Sequence, residues 1–152
     1  MIEIENELLV QLDAILNAFD EIHHVFVVDR GGFLISNQSR YPTVDPDLHH
    51  RISAIFPAMF VAGEEQGSCF HYGDIEFQFT EYQTGNVFGL SCGAGVLCVA
   101  TEKTHQINEI HFFLKRFQKT LSNTLERFYC PEEQELGEID LRAIFSSELK
   151  LN

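Results

Sequence analysis

Basic residues are scarce in this chain of 152 residues, which has 10 Lys+Arg against 23 Asp+Glu and a formal net charge of -13. Proteins that bind nucleic acids need a basic surface to displace counterions from the phosphates. A chain this acidic is therefore not expected to bind DNA, RNA or an anionic lipid surface.

Long apolar runs are lacking as well. The longest uncharged apolar stretches are residues 54–63, which are too few to cross a bilayer, and residues 85–101, which Gly, Ser and Asn interrupt. Residues 1–5 are acidic and are not followed by an apolar run, so they do not resemble a signal peptide. We therefore expect no membrane insertion and a cytoplasmic location.

The sequence also lacks the common motifs of metal sites and catalytic sites. Its four cysteines (Cys69, Cys92, Cys98 and Cys130) form no Cys-x-x-Cys pair, and its seven histidines have no zinc-binding spacing. There is no phosphate-binding P-loop and no nucleophile elbow. We expect neither a metal nor a cofactor, and no catalytic site of the chain's own. Cys92 and Cys98, in apolar segments, are expected to be buried as small hydrophobes.

Apolar residues are plentiful: they make up 45% of the chain and include 14 Phe, enough for one compact domain. Apolar spacings of three and four predict helices over residues 3–19, 45–63 and 104–129. Runs rich in β-branched and aromatic residues predict strands on either side of the turn at residues 29–32 and at residues 74–80, 87–92 and 96–100. Residues 37–46 are predicted to be a loop, and residues 67–72 are a candidate extra strand.

The second predicted helix has apolar residues on two sides. Asp45 is a candidate N-cap, Pro46 suits the first turn, Gly63 is a candidate stop, and the interior Pro57 predicts a kink. The main apolar face is Leu48, Ile52, Ile55, Phe56, Met59 and Phe60. A smaller surface of Ala54, Pro57, Ala58 and Val61 lies beside it. A helix that is apolar on two sides is expected to contact two things, its own sheet and a second molecule.

The third helix and the tail carry further signals. Lys115, Arg116, Lys119 and Arg127 form a basic strip, which we interpret as a solvated helix face. Residues 132–140 are an acidic linker, and the apolar side chains of Leu141, Ile144 and Phe145 follow in a short amphipathic segment. Because so short a helix is marginal alone, it needs a surface, either its own domain or a partner. We thus divide the chain into a domain, residues 1–130, and a tail, residues 131–152.

The predicted order, α-β-β-α-β-β-β-α, resembles the Roadblock/LC7 family. The hairpin of residues 25–36, VFVVDRGGFLIS, carries the resemblance, together with the meander and the long last helix. The tail segment 136–146, LGEIDLRAIFS, is similar to the tail of the bacterial MglB-type members, and Phe70-His71-x-Gly73 is similar to a short MglB segment. The resemblance implies an α+β three-layer sandwich with a five-stranded antiparallel sheet, one helix on one face and two on the other, plus a short C-terminal helix.

The resemblance also implies a function. It implies a homodimer formed through helix 2 and an edge strand, which binds a small Ras-like GTPase of the MglA type. The dimer would stimulate GTP hydrolysis by ordering the switch regions of the GTPase, without donating an arginine finger, in cell polarity or gliding motility. The partner-binding residues that we infer are His50, Arg51, Ala54, Pro57, Ala58, Val61, Leu141, Ile144 and Phe145.

Other interpretations of the same sequence remain open. Helix 2 could serve dimer packing only, and the tail could dock on its own domain. The chain could be a Roadblock scaffold without GTPase-activating effect, as dynein light chains are. A small-molecule sensor of the PAS or GAF type would need an enclosed pocket, and a longin or profilin-like adaptor would begin with strands.

Overall fold

A computed structural model describes residues 2–42 and 45–130. Within these residues the chain forms three helices, α1 (Ile2–Ala18), α2 (Leu48–Cys69) and α3 (Ile107–Tyr129). The same residues form five strands, β1 (Ile22–Asp29), β2 (Leu34–Ser39), β3 (Gln78–Glu81), β4 (Gly85–Cys92) and β5 (Gly95–Glu102). All neighbouring strands are antiparallel, in the order β2-β1-β5-β4-β3. The predicted element order and the α+β class are confirmed.

One face of the sheet, which we call the two-helix face, is covered by α1 and α3. Apolar residues at spacings of three and four in each helix lie on one side of it and meet the alternate residues of β1, β4 and β5. Sixteen buried apolar residues of the described chain form this core, among them Leu12, Leu97 and Leu114. This is the main hydrophobic core.

The other face, which we call the one-helix face, is covered by α2. Its buried apolar cluster contains six residues of the described chain: Phe26, Val28, Phe56, Phe60, Val96 and Cys98. Gly89 in β4 makes room for the helix, because a Cβ there would lie 2.8 Å from Cζ of Phe56. Cys92 and Cys98 are both buried, as predicted, one in each core.

The carboxylate of Asp29 stabilises the turn between β1 and β2. Oδ1 of Asp29 accepts hydrogen bonds from the backbone N–H groups of Gly31 and Phe33, both at 2.9 Å. Gly32 has φ +96°, a conformation that favours glycine. The predicted hairpin is confirmed, although β2 continues to Ser39, so the prediction of a loop from residue 37 was wrong at its start.

The predicted end of helix 2 was wrong. The helix begins at Leu48, after the predicted N-cap and proline, and continues through Gly63 to Cys69. Gly63 is a packing residue, not a stop, because a Cβ there would lie 2.7 Å from Cδ1 of Ile75. The helix ends instead where His71 takes φ +60°, so residues 67–69 are helical and the candidate extra strand is absent there.

The third predicted strand was too long. Only Gln78–Glu81 is a strand, and the preceding residues do not follow its pleat. Ile75, which the alternating pattern placed beside Phe77 and Phe79, packs on the one-helix face, whereas the two phenylalanines pack on the two-helix face. Alternation predicts a shared face only where the backbone is a strand throughout.

Arg40 joins α1 to the sheet. Its guanidinium donates hydrogen bonds to the carbonyl oxygens of Ile22 (2.9 Å), Phe19 (3.1 Å) and Leu16. These carbonyls lie at the C-terminal end of α1 and the start of β1, where helix carbonyls have no intrahelical donor. A cation is also favoured at a helix C-terminus by the helix dipole. The half-buried Arg40 thus closes the α1–β1 connection.

Candidate partner-binding surface

Two large apolar side chains of α2 face solvent. Ile55 is 51% exposed and Met59 is 46% exposed, although both were predicted to lie on the face toward the sheet. That prediction was wrong because the apolar arc of α2 is wider than the sheet surface that it covers. Among its 22 residues, the buried ones are Ser53, Phe56, Pro57 and Phe60. We call Ile55 and Met59 the exposed strip.

The small residues of α2 line a groove on its other flank. The groove has a volume of about 390 Å³ and is open to solvent. It lies between the β1–β2 turn and the helix, and we call it the small-residue groove; its lining is Arg30, Gly31, Gly32, Ala54, Pro57, Ala58, Val61, Ala62 and Glu65. The four small residues predicted for the partner surface are thus brought together, with Pro57 buried, Val61 half-buried and the two alanines exposed.

The groove exists because the turn approaches the helix closely. Proline has no N–H, so Pro57 leaves the carbonyl of Ser53 without its usual helical donor. Gly32 lies against that carbonyl, and a Cβ on Gly32 would be 3.3 Å from the oxygen. Any larger residue at position 32 would therefore have to adopt a strained backbone and crowd the helix.

Arg30 supplies the positive charge of this groove, but its guanidinium is already hydrogen-bonded to other residues of the chain. It donates to Oε1 of Glu64 at 2.7 Å and to Oγ of Ser91 at 2.8 Å. Its guanidinium carbon also lies 5.7 Å from the ring centroid of Phe60, a cation–π distance. The arginine therefore braces the turn against α2.

The two polar residues predicted for the partner surface lie outside the groove lining. His50 and Arg51 are both exposed in the first turns of α2. Arg51 pairs with Oδ2 of Asp45 at 2.9 Å, while Oδ1 of the same carboxylate accepts from the backbone N–H of Asp47. Asp45 thus organises the start of α2 from outside the helix.

A histidine cluster near the start of α2 was missed by the sequence reasoning. His24 Nδ1 lies 2.8 Å from Oγ of Ser39, and His49 Nε2 lies 3.1 Å from Nδ2 of Asn37. Burial lowers the pKa of His24, and the charges of His23 and His49 lower it further. The register that places His24 opposite Ser39 becomes visible only once the hairpin pairing is known.

The C-terminal end of α3 meets the same β1–β2 turn. The hydroxyl of Tyr129 donates to Oδ2 of Asp29 over 3.4 Å. Burial, and next the Asp29 carboxylate, raise the pKa of Tyr129 to about 12, so the phenol keeps its proton at neutral pH. The tail residues predicted to bind a partner, Leu141, Ile144 and Phe145, lie outside the described residues.

The basic strip of α3 is partly neutralised within the domain. Arg127 pairs with Glu7 of α1 at 2.5 Å, and Lys115 lies 3.8 Å from Glu76. Hydrogen bonding to Arg127 is the main cause that lowers the pKa of Glu7. Across residues 2–42 and 45–130, no group of three or more His, Cys, Asp or Glu side chains is arranged to hold a metal ion.

Comparison with known proteins identifies the fold. No family model matches the sequence, and no curated protein matches it. Solved structures do match: one described as MglB with a tetrameric arrangement has a TM-score of 0.74 at 12% identity, over 82% of this chain and 91% of that one. The gliding protein MglB of Thermus thermophilus has a TM-score of 0.73 at 12% identity, over 82% and 92%. A Roadblock/LC7 domain of Streptomyces avermitilis has 0.65 at 14%, over 79% and 95%.

This chain has the Roadblock/LC7 fold. The predicted resemblance is therefore confirmed for the architecture. In this fold the two ends of the sheet are β2 and β3, which leave edge hydrogen-bonding groups unpaired within the described chain. Gly63 of α2 packs on Ile75, close before β3, and Met59 lies one turn earlier on the helix. The exposed strip is thus on the β3 flank, and the small-residue groove is on the hairpin flank.

Within residues 2–42 and 45–130, no helix has the length and apolar character that a membrane span needs.

Proposed function

We propose that the protein is a homodimeric regulator of a small Ras-like GTPase of the MglA type. One observation carries the proposal: α2 leaves apolar surface uncovered on two flanks, the exposed strip and the small-residue groove. Each flank has a use in such a regulator, one for a second copy and one for the GTPase. The likeness in fold to MglB structures supports this assignment.

The second copy would bind at the β3 flank. An edge strand has free N–H and C=O groups that can pair with an identical strand, and the flanking apolar side chains then become buried. Ile55 and Met59 lie beside that edge and would supply the apolar contact. Pairing of the two β3 strands would extend the sheet across two subunits.

The GTPase would bind the hairpin flank and the start of α2. We assign to it His50, Arg51, Ala54, Pro57, Ala58 and Val61, and we assign Leu141, Ile144 and Phe145 of the tail to a separate face of the same partner. This keeps the division into a domain, residues 1–130, and a tail, residues 131–152. The proposed regulator would act in the cytoplasm, in cell polarity or gliding motility.

The mechanism we propose is conformational. The dimer binds the hydrolysis-competent arrangement of the GTPase switch regions more tightly than other arrangements, and so increases its population. The engagement of Arg30 with Glu64 and Ser91 supports this mechanism, because an arginine finger must be free to reach the phosphates. The chain itself then contributes no catalytic residue.

The first test is the mass in solution. We expect a dimer for the full chain at micromolar concentration, and a monomer for Met59→Asp, because a charge at the centre of an apolar contact is costly to desolvate. Phe112→Asp is the matched control, since Phe112 is 70% exposed on α3. A full chain that remains monomeric, or a Met59→Asp variant that stays dimeric, would contradict the proposed use of α2.

The second test is GTP hydrolysis by an MglA-type GTPase. Single-turnover rates with and without the full chain should show acceleration, and Ala58→Glu in the groove should abolish it. If the GTPase binds the chain without any acceleration, the protein is a Roadblock scaffold, which is the alternative function. If it neither binds nor accelerates, the assignment to this class of partner is wrong.

A further inference from the structure

The small-residue groove lies next to the place where the described chain ends. Tyr129, the last residue of α3, contacts Asp29 at the start of the β1–β2 turn. Gly31 and Gly32, two and three residues further along that turn, form one wall of the groove. Although α3 and α2 cover opposite faces of the sheet, the chain therefore leaves α3 at the end of the sheet where the groove opens.

The tail is long enough to reach the groove. Residues 131–140 precede the apolar segment, and ten extended residues span roughly 33–36 Å. The groove begins at the turn that Tyr129 already touches, so only part of this length is needed. A segment tethered so closely is present at an effective concentration of about millimolar, which favours even a weak contact.

The chemistry of the two surfaces is complementary. The groove is lined mainly by small and apolar residues, with Arg30 and Glu65 as its charged residues, and its volume of about 390 Å³ leaves room for bulky apolar side chains. The tail brings the apolar side chains of Leu141, Ile144 and Phe145. Glu65 is exposed on the rim, and the tail carries Arg142 within its apolar segment.

From these observations we infer that Leu141, Ile144 and Phe145 dock in the small-residue groove of the same molecule when no partner is bound. The tail then covers the surface assigned to the GTPase, and a GTPase has to displace it before it can bind there. The docking stands by itself; only this last consequence rests on the proposed function. The contact would restrain the regulator until a partner is present.

Paramagnetic broadening in the full chain, without any GTPase, tests the docking. A nitroxide is placed on Ser147→Cys in a Cys69→Ser and Cys130→Ser background. Cys92 and Cys98 do not compete for the label, because both are buried and burial raises the pKa of each thiol to about 12. We expect a several-fold loss of amide peak intensity at Gly31, Gly32 and Ala58, and none at Phe112 on α3.

Two variants make the test specific. Phe145→Asp should restore the groove signals, because it places a charge in the apolar contact, whereas the matched Ser146→Asp, with the same charge one residue later, should leave them broadened. Unchanged groove signals in the parent, or equal broadening in both variants, overturn the inference. Broadening of isotope-labelled chains by separate spin-labelled chains would also overturn it, since the tail would then dock on another molecule. None of these outcomes depends on GTPase activity.

Discussion

The two faces of the sheet are built differently. The two-helix face buries sixteen apolar residues beneath α1 and α3, while the one-helix face buries six beneath α2, among the residues that the structure describes. On the first face the core residues of α1 and α3 are buried, although Val10 and Phe112 of the same helices are exposed. On the second, Ile55 and Met59 stay in solvent and small residues border an open groove.

The difference separates stability from binding. Burial of apolar area is the dominant favourable contribution to folding, so the two-helix face carries most of the stability of the domain. The one-helix face keeps apolar surface that folding does not use, and such surface marks a site of interaction. Substitutions in the core of the two-helix face should therefore mainly lower the free energy of unfolding, whereas substitutions of the exposed residues on the one-helix face should mainly weaken binding.

The largest effect is expected from Leu114→Ala on the two-helix face. Leu114 is completely buried, and truncation removes its contacts and leaves a cavity, at a cost of about 2–5 kcal/mol in the free energy of unfolding. Urea denaturation measures the change. Phe112→Ala on the same helix is the control and should stay within about 0.5 kcal/mol of the parent, because its ring is exposed. Equal losses of unfolding free energy in the two variants would contradict the distinction between core and surface residues on this face.

Arg40→Ala is expected to come next. It removes three hydrogen bonds to carbonyls at the end of α1 and the start of β1, and unpaired carbonyls cost about 1–3 kcal/mol in the free energy of unfolding. Arg40→Lys should recover only part of this, because an ammonium cannot reproduce the planar fork of donors. A lysine variant as stable as the parent would show that charge at the helix end, not hydrogen bonding, is what matters.

A smaller effect is expected from pH on the one-helix face. The pKa of His24 is lowered in the folded state, so its contribution to stability is complete above the unfolded pKa of about 6.5 and is lost as pH falls through the folded pKa. Between these two values the unfolded chain binds more protons, and stability rises with pH. The urea midpoint of the parent should therefore fall between pH 7.5 and 5.

His24→Gln should reduce that pH dependence. His105→Gln is the control, because His105 is exposed, and it should retain the dependence of the parent. If His24→Gln loses as much stability at pH 5 as the parent does, the histidine cluster is not the source.

The smallest effect on stability is expected from Arg51→Ala. The Arg51–Asp45 pair is exposed, with side chains 68% and 41% accessible, and exposed pairs contribute about 0–1 kcal/mol. A double-mutant cycle with Asp45→Ala in urea measures the coupling energy of the pair. A value well above this range would show that the pair at the start of α2 contributes substantially to the stability of the fold.

The same variant bears on the proposed mechanism. Loss of an arginine finger lowers the hydrolysis rate by roughly 10³–10⁵-fold. With a conformational mechanism, Arg51→Ala should lower the stimulated GTP hydrolysis rate far less than that. A loss in the finger range with unchanged binding of the GTPase would mean that the protein does supply a catalytic arginine.

Sequence patterns predicted what depends on near neighbours. The hairpin was predictable because Asp29, Gly31 and Phe33 satisfy one another within five residues. Helix 2 was predicted, but its end was not, because Gly63 is explained by Ile75, twelve positions away. The small residues that the sequence placed on one surface of helix 2 line one groove, whereas the exposure of Ile55 and Met59 was not foreseen.

By itself the sequence determined the order of elements, the hairpin and the Roadblock/LC7 resemblance, because periodicity and turn chemistry act over a few residues. Only the tertiary structure decided which apolar side chains of α2 stay uncovered and that the turn forms a groove with α2. The tertiary structure also decided that the C-terminal end of α3 lies against the β1–β2 turn. These features depend on how much of α2 the sheet can cover and on contacts between residues that are distant in sequence. The spacing of apolar residues indicates which side of a helix is apolar, but it does not indicate which other elements cover that side.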